Sequence, residues 1–185
     1  MGTSCEIVVA NKDYDMVVLY KHWDSYPSTI LGILQDAGDL MAWMARDQRH
    51  WLTYPTDVAS FIIFYDGLLT LEEANRINRG GGSLPFHIDM RPVDNLADYI
   101  EYLYVVNLSK GNRLKWDVAV YDVHPGFWDL GRKERDEVYA RIINGTIPPL
   151  GLKLRTAERL ELKPQVPRLL RDMFGILAIA EELEA

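Results

Sequence analysis

The stretch Tyr20-Lys21-His22-Trp23-Asp24-Ser25-Tyr26-Pro27 gathers a histidine, an aspartate, a lysine, a serine and two tyrosines into eight residues. A histidine exchanges protons near neutral pH, and a carboxylate beside it can orient it or share its work as a general acid or base. His22 and Asp24 are two positions apart, so they project to the same side for as long as a strand lasts. Pro27 disfavours helix at Tyr26, and Ser28 or Thr29 can cap a helix that begins there, whose first turn offers backbone N–H groups and a positive dipole end. Together these features can hold an anion next to an acid–base pair. A plainer role is equally open: His22 and Asp24 bond each other and cap backbone groups, while Trp23, Tyr26 and Pro27 only pack.

The same spacing recurs downstream. His87 and Asp89 alternate with apolar residues and Arg91 continues the row, directly after Gly80-Gly81-Gly82. Two His-x-Asp pairs offer four nitrogen and oxygen groups of metal-ligand type, and Arg91 can instead hold a phosphate or carboxylate. The third possibility is the solvated face of an edge strand. Triple glycine can bring a backbone close to a ligand and present its N–H groups to an anion, or serve only as a flexible turn. It matches neither a P-loop, since no Lys-Ser/Thr follows, nor a dinucleotide fingerprint, since it does not open a helix after a strand. On the strand that follows, Tyr99 and Glu101 lie on one side and Tyr102 and Tyr104 on the other; the first pair can face the site and the second the core, or both pairs can simply pack. The expectation is a small-anion site, a nucleotide being one candidate, between the 22–28 loop and residues 80–91. His22 and Asp24 act on the ligand there, and Tyr26, Ser28, Gly80, Gly81, Gly82, His87, Asp89, Arg91 and Glu101 contact it. No metal or cofactor is expected. Hydrolysis of a phosphate ester is the enzymatic version of this reading, and simple binding is the other.

These residues need elements to position them. Apolar and aromatic runs at 6–10 and 16–23 flank a polar cluster, which is a hairpin pattern. Ile30, Leu34, Ala37, Leu40, Met41 and Met44 recur at helical spacing, predicting a helix to about residue 49. Thr56 or Asp57 can cap a second helix over 58–66, although 61–65 also suits a buried strand. Thr70 and Glu73 form a capping-box pattern for a short helix to Arg79, ended by the glycines. Leu84, Phe86, Ile88 and Met90 alternate as a strand, and 99–108 with 114–123 form a second hairpin. Residues 131–144 read as a helix stopped by Gly145, Leu152 to Leu162 as a small hairpin, and Pro167 opens a C-terminal helix with the stripe Leu169, Leu170, Met173, Leu177, Ala180 and Leu183. The fold class is therefore α+β: an antiparallel sheet, made of an N-terminal hairpin and a three-stranded meander, packed on helices. Residues 1–149 make the domain, and 150–185 an extension that packs on it or on a second copy.

Three of these pieces together carry a resemblance. The stretch 20–27, the triple glycine and Tyr99-Ile100-Glu101-Tyr102-Leu103-Tyr104 resemble a family of small uncharacterised microbial and phage-borne proteins. That family shows a tyrosine-arginine-histidine-tryptophan-aspartate-glycine-tyrosine-proline motif, a triple glycine and an isoleucine-glutamate-tyrosine strand. The likeness covers roughly the first two-thirds of the chain. It implies that the three segments act together, and it implies no reaction. Lys21 and Ser25 stand where the pattern has arginine and glycine, so a loop needing a positive φ at residue 25 would be strained here.

Composition sets the outer bounds. With 185 residues, 48% hydrophobic and 25% charged, the chain suits one folded domain. It holds no apolar run near the roughly 18 residues of a spanning helix and opens on no secretory signal pattern, so a soluble, cytoplasmic protein is expected. Cys5, the single cysteine, fits a reducing compartment. Residues 1–75 carry four Lys/Arg against eleven Asp/Glu, while the remainder balances at sixteen of each. An acidic half does not grip a phosphate backbone, which argues against nucleic acid as a partner. A reading from another class is an interaction protein, with Trp23, Tyr26, Trp51 and Tyr54 as exposed anchors and residues 166–185 joining two copies.

Overall fold

The central strand is β1, Cys5–Ala10, every residue of which is buried. A strand covered on both faces reads as an unbroken apolar run, and Ile7-Val8-Val9-Ala10 is one. The structure, a computed structural model, describes residues 3–13, 15–80, 90–92, 99–108, 114–145 and 151–174, with the side chains of 73–80 and 173–174 left aside. Asn11 closes the turn after β1 by accepting the Asp13 and Asp15 N–H groups on its side-chain oxygen, and β2, Met16–Lys21, returns antiparallel. This is the expected hairpin. On its other side β1 pairs in parallel with β4, Tyr102–Asn107, which pairs antiparallel with β5, Lys115–Val123.

Among the described residues six strands form one sheet in the order β3-β2-β1-β4-β5-β6. The fold is thus α+β with a mixed, mostly antiparallel sheet. The strand expected before β4 is seen only at its end, as β3, Arg91–Pro92, and it lies beside β2 on the far side of β1. The antiparallel run of three is therefore β4-β5-β6. Its last member, β6, Leu152–Glu161, is a single strand where a small hairpin was expected. The break in alternation that suggests a turn is a bulge: Val120 faces Thr156 but Tyr121 faces Leu154, leaving Arg155 as the extra residue.

One face of the sheet is covered by α1, Pro27–Met44, and α2, Pro55–Gly80. Ile7, Val9, Leu19, Tyr104, Trp116, Val118 and Val120 meet Ile30, Leu34, Met41, Val58 and Ile62 there. Pro27 sits in the first turn of α1 as its fixed φ favours, but no side chain caps the helix, so neither Ser28 nor Thr29 does so. A 3-10 turn, Arg49–Thr53, follows, and α2 is one helix of 26 residues where two were expected. Residues 61–65 are helical within it. The Thr70 hydroxyl donates back to the Asp66 carbonyl at 3.0 Å, so it caps nothing.

The other face carries α3, Pro125–Trp128, and α4, Arg132–Ile143, over Val8, Leu103, Val105, Tyr121 and Val123. α3 presses on the start of β6 at Gly151, whose φ is +100° and where a Cβ would lie 2.5 Å from the Phe127 nitrogen. Gly151→Ala is expected to cost about 1–3 kcal/mol, since backbone must move and a left-handed alanine is strained. A urea titration gives the figure, and an unchanged midpoint would mean that α3 yields freely.

Residues after β6 return to the first face. Asp39, 3% exposed, accepts the Lys163 N–H at 2.8 Å and the Gln165 amide at 3.1 Å. Val166 and Leu170 pack on Leu40, and α5 runs over Arg168–Phe174.

Candidate functional site

β2 ends at Lys21, and the loop after it turns inward again at Ser25. Lys21 and Ser25 are buried, whereas His22, Trp23, Asp24, Tyr26 and Ser28 are exposed. The Lys21 ammonium reaches Asp66 of α2 at 2.9 Å. Ser25 is held three ways. Its N–H donates to the Thr3 hydroxyl at 2.8 Å, its own hydroxyl donates to the Lys21 carbonyl at 3.1 Å, and its carbonyl accepts the Tyr104 hydroxyl at 2.6 Å. Positive φ falls on Asp24, at 53°, and not on Ser25. Aspartate enters this region more readily than most residues, so the serine fits without strain. Cys5 lies against this clamp, and burial pushes its thiol up to about 12, which leaves it protonated and unreactive.

The pleat that would align His22 with Asp24 stops one residue short of them. The His22 ring instead takes the Tyr20 hydroxyl at 3.0 Å on Nδ1 and stands edge-on to Trp23, with centroids 4.5 Å apart. Tyr20 also carries the exposed Arg91 of β3, its cross-strand partner, whose guanidinium carbon is 5.7 Å from the ring centre. Arg91 and His22, far apart in sequence, thus meet on one tyrosine. Tyr20 was not foreseen as a site residue, although the i, i+2 spacing to His22 was its signal.

Tyr26 belongs to the opposite face. Its ring is 6.3 Å from Tyr102, which packs on Tyr104 and lies under Arg155. Ser28 is exposed in a first turn of α1 that holds no acidic residue, and the Thr29 and Ile30 N–H groups both turn back to the Tyr26 carbonyl. Glu101 is exposed, with its N–H on the Ser4 carbonyl and its carbonyl on the Val123 N–H. Tyr99, φ 60° and 70% exposed, stands edge-on to Trp128 of α3. Gly80 is the last residue of α2. Gly81, Gly82, His87 and Asp89 lie outside the described residues. Tyr102, Asp122 and Arg155 were not anticipated, because only the sheet order brings them together.

Among the described residues no group of three or more His, Cys, Asp or Glu side chains is placed to hold a metal. A cleft of about 450 Å³ opens at the other end of the β1–β2 hairpin, between Asn11, Asp15, Met16, Val17, Tyr54, Pro55 and Thr56. The four aromatics considered as anchors are all exposed, with Trp23 and Tyr26 at one end of the hairpin and Trp51 and Tyr54 at the other. No described helix is long and apolar enough to cross a membrane.

Fold and loop together define a class: an α+β protein built on a six-stranded mixed sheet, with a polar loop where β2 passes into α1. Comparison with protein-family models, curated proteins and solved structures finds no match.

Proposed function

We propose that the chain binds a small anionic ligand at the β2–β3 edge, with Arg91 as the charge partner and His22 as the acid–base or orienting group. The supporting observation is the row Arg91-Tyr20-His22, in which one tyrosine ring underlies the guanidinium and its hydroxyl fixes the imidazole. Among the described residues no carboxylate pairs with Arg91. An arginine fork matches phosphate or carboxylate oxygens, and an imidazole held on Nδ1 by a hydroxyl has a set orientation toward whatever the arginine holds. Asp24, exposed in the same loop, is the second proton-transfer group. A phosphate ester is the substrate class if the ligand is turned over.

The test is a thermal-shift titration with inorganic phosphate and simple phosphate esters. A ligand present at 100 times its dissociation constant adds about 2.7 kcal/mol to stability, which a melt registers. Arg91→Ala is expected to weaken phosphate binding about 10- to 100-fold, the worth of one charge-assisted contact. His22→Ala would remove any ester hydrolysis. If Arg91→Ala binds phosphate as the wild type does, the edge site is wrong. The exposed Trp23, Tyr26, Trp51 and Tyr54 favour a second reading, a protein-binding surface or homo-oligomer. Concentration-dependent sedimentation without any phosphate shift would support it.

A further inference from the structure

The bulge in β6 has a chemical result. An extra residue in one strand bends it and re-aims a side chain, and here the extra residue is Arg155. Its Nε donates to Asp122 at 2.9 Å, and its guanidinium carbon lies 5.4 Å from the centre of the Tyr102 ring. Tyr26, 48% exposed, stands 6.3 Å from the same ring at 59°. The floor beneath is fixed, since Tyr104 is buried with its hydroxyl on the Ser25 carbonyl. Arg159, four residues along the strand, offers a contrast. It spends both Nε and Nη2 on Asp117 and, among the described residues, has no ring beneath it. Among the described residues the two Nη groups of Arg155 have no hydrogen-bond partner.

We propose that Arg155, Tyr26 and Tyr102 form a binding site for a flat ring that carries an anionic group, the chemistry of a nucleoside monophosphate. The ring stacks on the exposed Tyr26 face or on the outer plane of the guanidinium, as bases do on tyrosines and arginines. The phosphate takes the two Nη donors in a fork. Asp122 neutralises the arginine on its inner side, so the site carries little net charge, and the ring must supply much of the affinity. Inorganic phosphate alone is therefore a poor ligand here. This site is independent of the one proposed above: Tyr102 packs with the α1/α2 core, whereas Tyr20, under Arg91, packs with the α3/α4 core.

The experiment titrates adenosine monophosphate into the full chain, read by calorimetry and by tyrosine resonances, with inorganic phosphate as competitor. Expected are saturable binding, at least tenfold weaker in Arg155→Ala and in Tyr26→Ala, unchanged in Arg159→Ala, and not displaced by equimolar phosphate. Arg155→Lys, which keeps the charge and loses the plane, is also expected to weaken binding, and it tests the site should the alanine variant not fold. Equal weakening in Arg159→Ala would reduce the effect to net charge and overturn the proposal. So would absence of binding to the wild type. Loss in Arg91→Ala with Arg155→Ala unaffected would also overturn it, and would assign the nucleotide to the β2–β3 edge.

Discussion

Glu6→Ala is expected to lower the unfolding free energy by about 3–5 kcal/mol, the usual cost of removing one partner from a buried ion pair. Glu6 is 1% exposed on the central strand, and its two oxygens are used separately: Arg135 Nη1 lies 3.2 Å from one, and the Tyr139 hydroxyl donates to the other. Arg135, 0% exposed, also stacks 4.7 Å from the Phe127 ring centre. Alanine at position 6 would take from that buried guanidinium and that hydroxyl the carboxylate they share. Burial, then the nearby carboxylate, pushes the Tyr139 hydroxyl well above its usual range, so it stays a donor at any ordinary pH. Both contacts come from α4, more than a hundred residues downstream, so the loss should fall on the docking of that helix. Tyr139→Phe removes a single bond to a charged group and is expected to cost about 1.5–3 kcal/mol. Urea titrations followed by circular dichroism measure both, with amide exchange in α4 as the local readout. A cost under about 1 kcal/mol for Glu6→Ala would mean that water reaches Arg135 in its place.

What could be read from the sequence was local. The β1–β2 hairpin, the helix opening at Pro27, the β4–β5 hairpin and the stop at Gly145 are set by residues within a few positions of one another. Where local pattern misled, tertiary contact had decided otherwise. Thr70-Leu71-Glu72-Glu73 has the spacing of a capping box, but α2, packed on the core up to Leu69, continues through it, and the threonine folds back onto the preceding turn. The charged residues near position 155 resemble a turn because a bulge breaks the same alternation. Pairing of β1 with β4 is parallel and distant, and nothing near either strand encodes it beyond the apolar run that demands cover on both faces. The candidate site divides in the same way. His22, Asp24 and Tyr26 stood out by type and spacing, whereas Tyr20 with Arg91 and Tyr102 with Arg155 became neighbours only through strand order. Glu6 inside an apolar strand was a signal that was passed over, since a buried carboxylate requires a partner.

The ion pair behind the loop yields the second large effect. Lys21 and Asp66 have side chains only 8% and 3% exposed, with Nζ 2.9 Å from Oδ1, and Asp66 Oδ2 has no partner among the described residues. Asp66→Ala should cost about 3–5 kcal/mol, because a buried ammonium is left without its anion. Lys21→Met with Asp66→Leu removes both charges and keeps the volume, and should recover most of that loss. The two results together separate the penalty of an orphaned charge from the worth of the pair. Lys21→Arg is the informative third variant. Arginine presents a fork that can reach both carboxylate oxygens, and satisfying Oδ2 should raise stability by about 0.5–1.5 kcal/mol if the side chain fits. The pair also ties β2 to α2 directly behind His22, and the Lys21 carbonyl accepts the Ser25 hydroxyl that holds the loop shut. Asp66→Ala should therefore weaken phosphate binding at the Arg91 edge even at temperatures where the protein remains folded. The double apolar variant, stable but without the electrostatic tie, decides between two causes. Restored binding would show that the loop needs only a packed support, and binding still lost would show that the ion pair itself sets its position.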